Sequence, residues 1–236
     1  MLLLALLPLA WSAPAAHNAT VLVVAGGNGA GTSVEVCTPP LLSLLSCSEL
    51  PPFPRAMLAG VSLDLVGGEL VACWEDGCLV LGPAGWEEGP ATIHSRTFHT
   101  TVVAGTSLHL LGGNQSPGTS EVVDLATGEA REGFLLSPGR GGHCSIAVAA
   151  DTVVLTGGWQ AEALVTELSN LSSMEVVVRQ LPSLLVNRYD HGCANYWVGD
   201  TQVSSRRPST SIMVSSSFPL MVSYMVLIHR KSLCLV

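Results

Sequence analysis

Arginine and histidine, two side chains suited to chemistry, recur along this chain at a fixed spacing. Three copies of Arg-x-x-His begin at Arg96, Arg140 and Arg188 and end at His99, His143 and His191. Histidine is the most common general acid–base group and a common zinc ligand. The copies recur every 40 to 48 residues or so, however, and no C-x-x-C or H-x-x-x-H spacing suggests zinc. We therefore predict that each pair makes hydrogen bonds between repeats, and we expect no metal or other cofactor.

An apolar strand closed by Gly-Gly follows the motif in each full copy. The pairs are Gly112-Gly113 and Gly157-Gly158, and an earlier unit contributes Gly26-Gly27. A degenerate copy begins at Arg55, with Leu58 in the histidine position and no glycine pair after its strand at 70–74. Glycine is expected where the chain turns sharply and a neighbouring backbone leaves no room for a Cβ atom. A fixed period of this length is typical of units that bury their apolar faces against one another.

Each unit contains four short runs rich in β-branched residues and bounded by Gly, Pro, Ser, Asn and Asp, which is the strand signature. The predicted strands are 99–103, 108–111, 121–125 and 131–136 in one unit, and 144–148, 153–156, 163–168 and 176–180 in the next. Four antiparallel strands per repeat, arranged radially, form a β-propeller blade. We therefore predict an all-β fold, an incomplete β-propeller of about four four-stranded blades plus a partial fifth.

The repeats resemble those of the kelch family, and the resemblance covers about residues 20–202. It rests on the three glycine pairs, on Trp86, and on an acidic residue in the third strand of three units: Glu35, Asp124 and Glu167. The second unit departs from the pattern by lacking its glycine pair, and the third and fourth lack the tryptophan. The resemblance implies kelch-type blades whose loops, which differ between family members, mostly bind proteins.

The repeat boundaries divide the chain into three parts. Residues 1–15 are predicted to be a signal peptide, 16–203 the repeat domain and 204–236 a tail without kelch features. The units are 16–54 (first), 55–95 (second), 96–139 (third), 140–187 (fourth) and 188–203 (partial fifth).

The N-terminus predicts secretion. The apolar run at 2–10 is too short to span a bilayer, and Ala13-Pro14-Ala15 fits an A-x-A cleavage site. The alternative is that this run is a frayed first strand. Three N-glycosylation sequons, at Asn18, Asn114 and Asn170, support an extracellular location.

The cysteines fit the same compartment. Cys73 and Cys78 flank a tight turn and are predicted to form a disulfide that compensates for the missing glycine pair. Cys37 and Cys47 form a second predicted pair. Cys144 and Cys193 each follow a motif histidine, and whether they bridge is left open; the alternative is that both are small buried hydrophobic residues.

The charge distribution argues against two classes of partner for the repeat domain. Before residue 201 the chain has six arginines against eighteen carboxylates, and nucleic acids and anionic membranes require basic surfaces. We therefore expect no nucleic-acid binding.

The C-terminal region breaks the repeat pattern in mid-unit. After 200–203, where an apolar pair and Gly-Gly are due, the chain reads Ser204-Ser205-Arg206-Arg207-Pro208. The favoured interpretation is that the tail is foreign to the fold. The alternatives are a membrane anchor at 212–228, followed by Arg230-Lys231, and substitute strands at 212–214 and 220–228. Under the first two interpretations the open sheet edges could support self-association.

The function that these features favour is a secreted, non-catalytic module that binds a protein of unknown identity. Its contacts would come from the loops that follow the second strands, at 28–32, 114–120 and 159–162. The main alternative is a fragment of a galactose-oxidase-like enzyme, but its tyrosine ligands would have to come from Tyr189, Tyr196 and Tyr224. A glycosidase would need a paired carboxylate beside Glu121, Asp124 or Glu167. A ubiquitin-ligase adaptor is disfavoured by the leader.

Overall fold

The computed structural model describes residues 3–8, 20–25, 31–38, 46–56, 60–161, 163–173, 175–197 and 223–228. Within these ranges the chain is all-β, with no helix. No helix in the described part of the chain is long and apolar enough to cross a membrane.

The strands form five antiparallel sheets, each connected in simple sequential order. Sheet 1 contains β1 (Leu3–Pro8), β2 (Thr20–Ala25), β3 (Val34–Thr38) and β4 (Ser46–Leu50). Sheet 2 contains β5 (Ser62–Val66), β6 (Glu69–Trp74), β7 (Gly77–Gly82) and β8 (Gly85–Ala91). Sheet 3 contains β9 (Thr100–Ala104), β10 (Ser107–Leu111), β11 (Thr119–Asp124) and β12 (Glu129–Leu135). Sheet 4 contains β13 (Cys144–Ala149), β14 (Thr152–Thr156), β15 (Val165–Ser169) and β16 (Val177–Leu181). Sheet 5 pairs β17 (Gly192–Trp197) with β18 (Ser223–Ile228).

The eight strands predicted in the third and fourth units are all present, with ends shifted by one or two residues. The turn between β11 and β12 illustrates the local cause. The Asp124 carboxylate accepts hydrogen bonds from the N–H groups of Ala126 and Thr127. Gly128 then takes a positive φ of 74° at no steric cost.

Both ends of the chain contribute strands. Leu3–Pro8, within the predicted signal peptide, is paired with β2, so sheet 1 draws its first strand from outside the predicted first unit. Leader cleavage stays a prediction. Ser223–Ile228 pairs with β17, as in the alternative in which the tail supplies a substitute strand. Segment 212–214 lies outside the described residues.

The core lies between consecutive sheets. One apolar cluster joins sheets 1 and 2 and includes Val34, Phe53 and Leu79. A second cluster joins sheets 2 and 3 and includes Val71, Leu108 and Val123. A third joins sheets 3 and 4 and includes Val102, Leu155 and Leu168. The first strands β1, β5, β9, β13 and β17 lie next to one another in that order. Sheets 1 to 4 therefore bury their apolar faces against one another, and the first strands of neighbouring sheets are adjacent.

Candidate functional site

The residue before each motif histidine has left-handed backbone geometry and links one unit to the next. Phe98, Gly142 and Asp190 have φ values of 56°, 60° and 49°. The N–H of Gly142 donates to the carbonyl of Phe98 at 2.8 Å, and the N–H of Asp190 donates to the carbonyl of Gly142 at 2.7 Å. These two bonds link the third, fourth and fifth units in series. We call the side of the molecule that carries Phe98, Gly142 and Asp190 the loop face.

The glycine pairs make a second set of contacts between units. The N–H of Gly113 donates to the carbonyl of Arg140 at 2.9 Å, and that of Gly158 to the carbonyl of Arg188 at 2.8 Å. A Cβ atom on Gly112 would lie 2.1 Å from the Arg140 carbonyl oxygen, and one on Gly157 2.3 Å from that of Arg188. Glycine is therefore required by the close approach of the next unit. Gly26 and Gly27 lie outside the described residues.

Each motif histidine is buried and reaches a hydroxyl group in the preceding unit. The Nε2 atom of His143 lies 2.8 Å from Thr100 Oγ1, and that of His191 lies 2.9 Å from Thr156 Oγ1. His99 makes the equivalent but longer contact with Ser62 Oγ, at 3.4 Å. These are the predicted hydrogen bonds between repeats.

Burial keeps these imidazoles neutral. Desolvation lowers the pKa values of His99 and His191 to about 4. The pKa of His143 lies well below its ordinary value because of burial and the nearby positive charge of Arg140. At neutral pH all three are therefore uncharged hydrogen-bonding groups.

The structure corrects the alignment of the second unit. Ser62 begins β5 as Thr100 begins β9, and each contacts the histidine of the next unit, so Val61 occupies the histidine position. Leu58, predicted for that position, lies outside the described residues. Arg55 is not buried like Arg96: it is exposed, stacks over the Trp74 ring and pairs with Asp76 at 3.3 Å.

Arg96 is fully buried and joins the strands of its own sheet. Its Nε atom pairs with the buried carboxylate of Glu121. Its Nη1 atom donates to the carbonyls of Gly112, Ser116 and Thr119, and its Nη2 atom to the Thr119 hydroxyl at 2.8 Å. The second Glu121 oxygen accepts the N–H of Ile93 at 2.6 Å. Every polar atom of this pair therefore has a partner, as a buried ion pair requires.

Arg140 is equally buried, but among the described residues no carboxylate pairs with it. Its Nη2 atom donates to Thr166 Oγ1 at 2.8 Å, and Thr166 Oγ1 donates in turn to Gln180 Oε1 at 3.1 Å. Within the described part of the chain, Nε and Nη1 have no acceptor. Burial lowers its pKa to about 10.

Both predicted disulfides are present. Cys37 bonds to Cys47 and Cys73 to Cys78, in each case across a hairpin. Glu35 lies close to the first pair, but the disulfide removes the thiolates that a metal would need. Cys144 is also disulfide-bonded. The side chain of Cys193 lies outside the described part.

The acidic residues considered for glycosidase chemistry have other roles. Glu121 pairs with Arg96, Asp124 caps the β11–β12 turn, and Glu167 pairs with Arg179 at 3.0 Å. The sequon residues Asn114 and Asn170 are exposed, and Asn18 lies outside the described residues.

An aromatic cluster on the loop face was not predicted from the sequence. The rings of Phe98 and Trp159 meet edge to face at 5.0 Å, and Tyr189 lies 6.3 Å from Trp159. The one sequence signal for this contact is position: Phe98 and Tyr189 lie within Arg-x-x-His motifs, and Trp159 directly follows a glycine pair. An open depression of about 350 Å³ is lined by Gln160, Ala161, Ala163, Leu164 and Asn187, which are close in sequence to Trp159 and Tyr189.

Comparison with known proteins adds information on the fold alone. No family model matches the chain, and no curated protein matches it. Among solved structures the chain is similar to one described as "Structure of YjhT", with 13% identity and a TM-score of 0.62. The similarity covers 76% of this chain and 70% of that one.

Proposed function

We propose that the chain is an incomplete kelch-type β-propeller, with sheets 1 to 4 as blades and sheet 5 as a partial fifth. Two observations support this. The first strands of successive sheets lie next to one another. The contacts of the glycine pair and of the motif histidine recur at the boundaries between the third, fourth and fifth units.

We further infer that the protein is a secreted, non-catalytic module that binds another protein through its loop face. The aromatic cluster carries this inference, because Tyr189 is 56% exposed and the neighbouring Leu185 and Val186 are 90% and 59% exposed. Exposed aromatic and aliphatic side chains grouped on one face are typical of binding surfaces. The engagement of the motif histidines in contacts between sheets favours binding over the galactose-oxidase-like alternative.

The exposed sequon at Asn114 restricts where on the loop face a partner could bind. Asn114 and Trp159 occupy equivalent positions, since each directly follows a glycine pair and donates its N–H within its own unit, to Thr97 and Gly141 respectively. A glycan on Asn114 would cover the loop face over the third unit. The surface over the fourth unit and the start of the fifth would remain open for the partner.

Site-specific photo-crosslinking tests the binding inference. We expect a benzoylphenylalanine residue at Leu185 to crosslink one defined protein on cells or in secretions. The same group at Val177, which is 51% exposed and pairs with Ser169 at the opposite end of sheet 4, is the matched control and should not capture it. Equal capture at both positions, or at neither, would contradict a binding surface on the loop face.

The mass of the secreted product tests the location and processing. Secretion predicts a mature chain that begins near residue 16 and carries N-glycans. A non-reducing peptide map of the same sample identifies the partner of Cys144. Retention of Leu3–Pro8 in the secreted product would show that the first strand is kept and that the leader is not cleaved as predicted. Size exclusion of this sample tests the predicted self-association through open edges.

A further inference from the structure

The outer edge of sheet 4 is an apolar strand that, among the described residues, pairs on one side alone. The strand order of the sheet is β13-β14-β15-β16, so β16 is outermost and pairs with β15. Four of its five residues are exposed and the fifth is half-buried. Val177 and Val178 are 51% and 43% exposed. An exposed, apolar edge strand offers its backbone N–H and C=O groups to a further strand.

The outer strands of sheets 2 and 3 carry features that hinder such pairing. β8 exposes Glu87 and contains Pro90, which has no N–H group to donate. β12 exposes Arg131 and Glu132 side by side. The pairing of each of these strands with its neighbour also contains a register shift. β16 has one charged residue, Arg179, and pairs with β15 without a register shift. The edge of sheet 4 therefore lacks the charges, proline and bulges that protect the other two edges.

The sequence around β16 is complementary to itself in the antiparallel direction. Residues 175–179 read Glu-Val-Val-Val-Arg. If two copies pair about Val177, Glu175 of each copy lies opposite Arg179 of the other, and three valine pairs lie between them. These three positions are two residues apart and so share one face of the strand. Opposite charges and β-branched pairs across strands are stabilising, whereas pairing about Arg179 would oppose two guanidinium groups. The charges therefore select one register.

Both charged side chains of this pairing are accessible. Arg179 is 64% exposed although its Nη2 atom bonds to Glu167 at 3.0 Å. A guanidinium group has five N–H donors, so it can bond to a second carboxylate. Glu175 is exposed directly before the strand. The Ser173 hydroxyl fixes the backbone there, since it accepts the N–H of Glu175 at 3.1 Å and donates to the Glu175 carbonyl at 3.0 Å.

We propose that two copies of this chain associate by antiparallel pairing of their β16 strands about Val177. The pairing joins the two four-stranded sheets into one of eight strands, with an ion pair between Glu175 and Arg179 at each end. This edge is distinct from the open ends of the ring and from the loop face. The proposal rests on the topology of sheet 4 and holds whether or not the loop face binds a protein.

Sedimentation velocity of the full, disulfide-bonded chain over a range of concentrations tests this proposal. The chain is first treated with peptide N-glycosidase, because the sequon at Asn170 lies in the turn before β16. We expect a reversible monomer–dimer equilibrium. Glu175→Arg and Arg179→Glu each oppose like charges at both ends of the pairing and should weaken dimerisation by about tenfold or more. An equimolar mixture of the two variants pairs opposite charges again and should dimerise like the wild type.

Val177→Lys is a second variant, because it opposes two ammonium groups at the centre of the pairing and should also weaken dimerisation. Leu135→Lys on β12 is the matched control: Leu135 is 77% exposed, and this change should leave dimerisation as it is in the wild type. A wild-type chain that stays monomeric at every concentration would overturn the proposal. So would a mixture of Glu175→Arg and Arg179→Glu that does not dimerise. Association that is equal in the wild type and in both charge variants would assign it to the open ends of the ring and would also overturn the proposal.

Photo-crosslinking separates this proposal from the binding inference. Benzoylphenylalanine at Val177 should join two copies of this chain, whereas the same group at Leu185 should capture a different protein. Absence of the crosslink between copies at Val177 would contradict the pairing of β16 and would leave the result at Leu185 unaffected.

Discussion

In the third unit the buried Arg96 is neutralised by Glu121, whereas among the described residues the equally buried Arg140 of the fourth unit contacts only the Thr166 hydroxyl. The loops between the second and third strands of these units, 112–119 and 157–164, have the same length and equivalent hydrogen bonds between their ends. The repeat geometry therefore does not depend on the ion pair. The glycine contact recurs at the two boundaries between the third, fourth and fifth units. The histidine–hydroxyl contact recurs at these two boundaries and between the second and third units, whereas the partner of the arginine varies.

Acidification should produce the largest change, because it acts on the three motif histidines at the unit boundaries and on His109, which is buried on β10. Burial lowers the pKa values of His99, His109 and His191 to about 4, and that of His143 is also strongly lowered. The unfolded chain therefore binds more protons between about pH 4 and 6.5, and stability falls as the pH drops through this window. Asp64 opposes this trend, since burial raises its pKa to about 6. One carboxyl group does not outweigh four imidazoles.

Urea unfolding at pH 7 and pH 4.5 measures this effect, and we expect the free energy of unfolding to fall by several kcal/mol. His143→Gln should reduce the pH dependence. His94→Gln is the control, because His94 is partly exposed and pairs with Glu132 at 2.8 Å. An unchanged free energy of unfolding between the two pH values would show that the boundary histidines are not buried as described.

Removal of the carboxylate from the third unit should cost more than any change to its counterpart. Glu121→Gln leaves Arg96 buried without a counterion, and we expect a loss of about 3–5 kcal/mol. Thr166→Val in the fourth unit removes two hydrogen bonds, from Arg140 Nη2 and to Gln180 Oε1, and should cost about 1–3 kcal/mol. Equal losses in urea unfolding would mean that the two arginines are held alike and would undo the comparison.

The glycine contact should be equally important in both units. Gly112→Ala and Gly157→Ala each place a Cβ atom against the next unit's carbonyl, with φ at 61° in both, and each should cost on the order of 3 kcal/mol. Gly128→Ala is the control: its φ is also positive, but nothing lies within 4 Å of the added atom. It should cost about 1–2 kcal/mol. If Gly128→Ala lowers the free energy of unfolding as much as the other two substitutions, the positive φ alone accounts for the loss and the contact with the next unit does not.

The smallest effect is expected at the exposed ion pair of the fourth unit. Arg179 is 64% exposed and pairs with Glu167 at 3.0 Å. Arg179→Ala should lower the free energy of unfolding by about 0–1 kcal/mol. A loss comparable with that of Glu121→Gln would mean that burial does not decide the value of ion pairs in this fold.

The repeat signals in the sequence predicted most of the architecture of the third and fourth units. Strand periodicity and turn residues act locally, so the ends of β9 to β16 were predicted within one or two residues. The second unit was misaligned because Val61 replaces the histidine and no side-chain signal marks the position. Alignment of the glycine pairs places Thr166 at the position of Glu121, but the sequence alone did not reveal that Glu121 is the buried partner of Arg96, since that contact joins residues 25 positions apart. The aromatic cluster likewise depends on contacts between separate units.

The central claim is that sheets 3, 4 and 5 are joined by the same backbone contacts at the two boundaries between them. Native-state hydrogen exchange of the Gly113, Gly142 and Gly158 amides tests it most directly, because each donates to the neighbouring unit. We predict that all three exchange only by global or near-global unfolding, far more slowly than the amide of Thr127 in an exposed turn. Exchange of these three amides as fast as that of Thr127 would contradict the account.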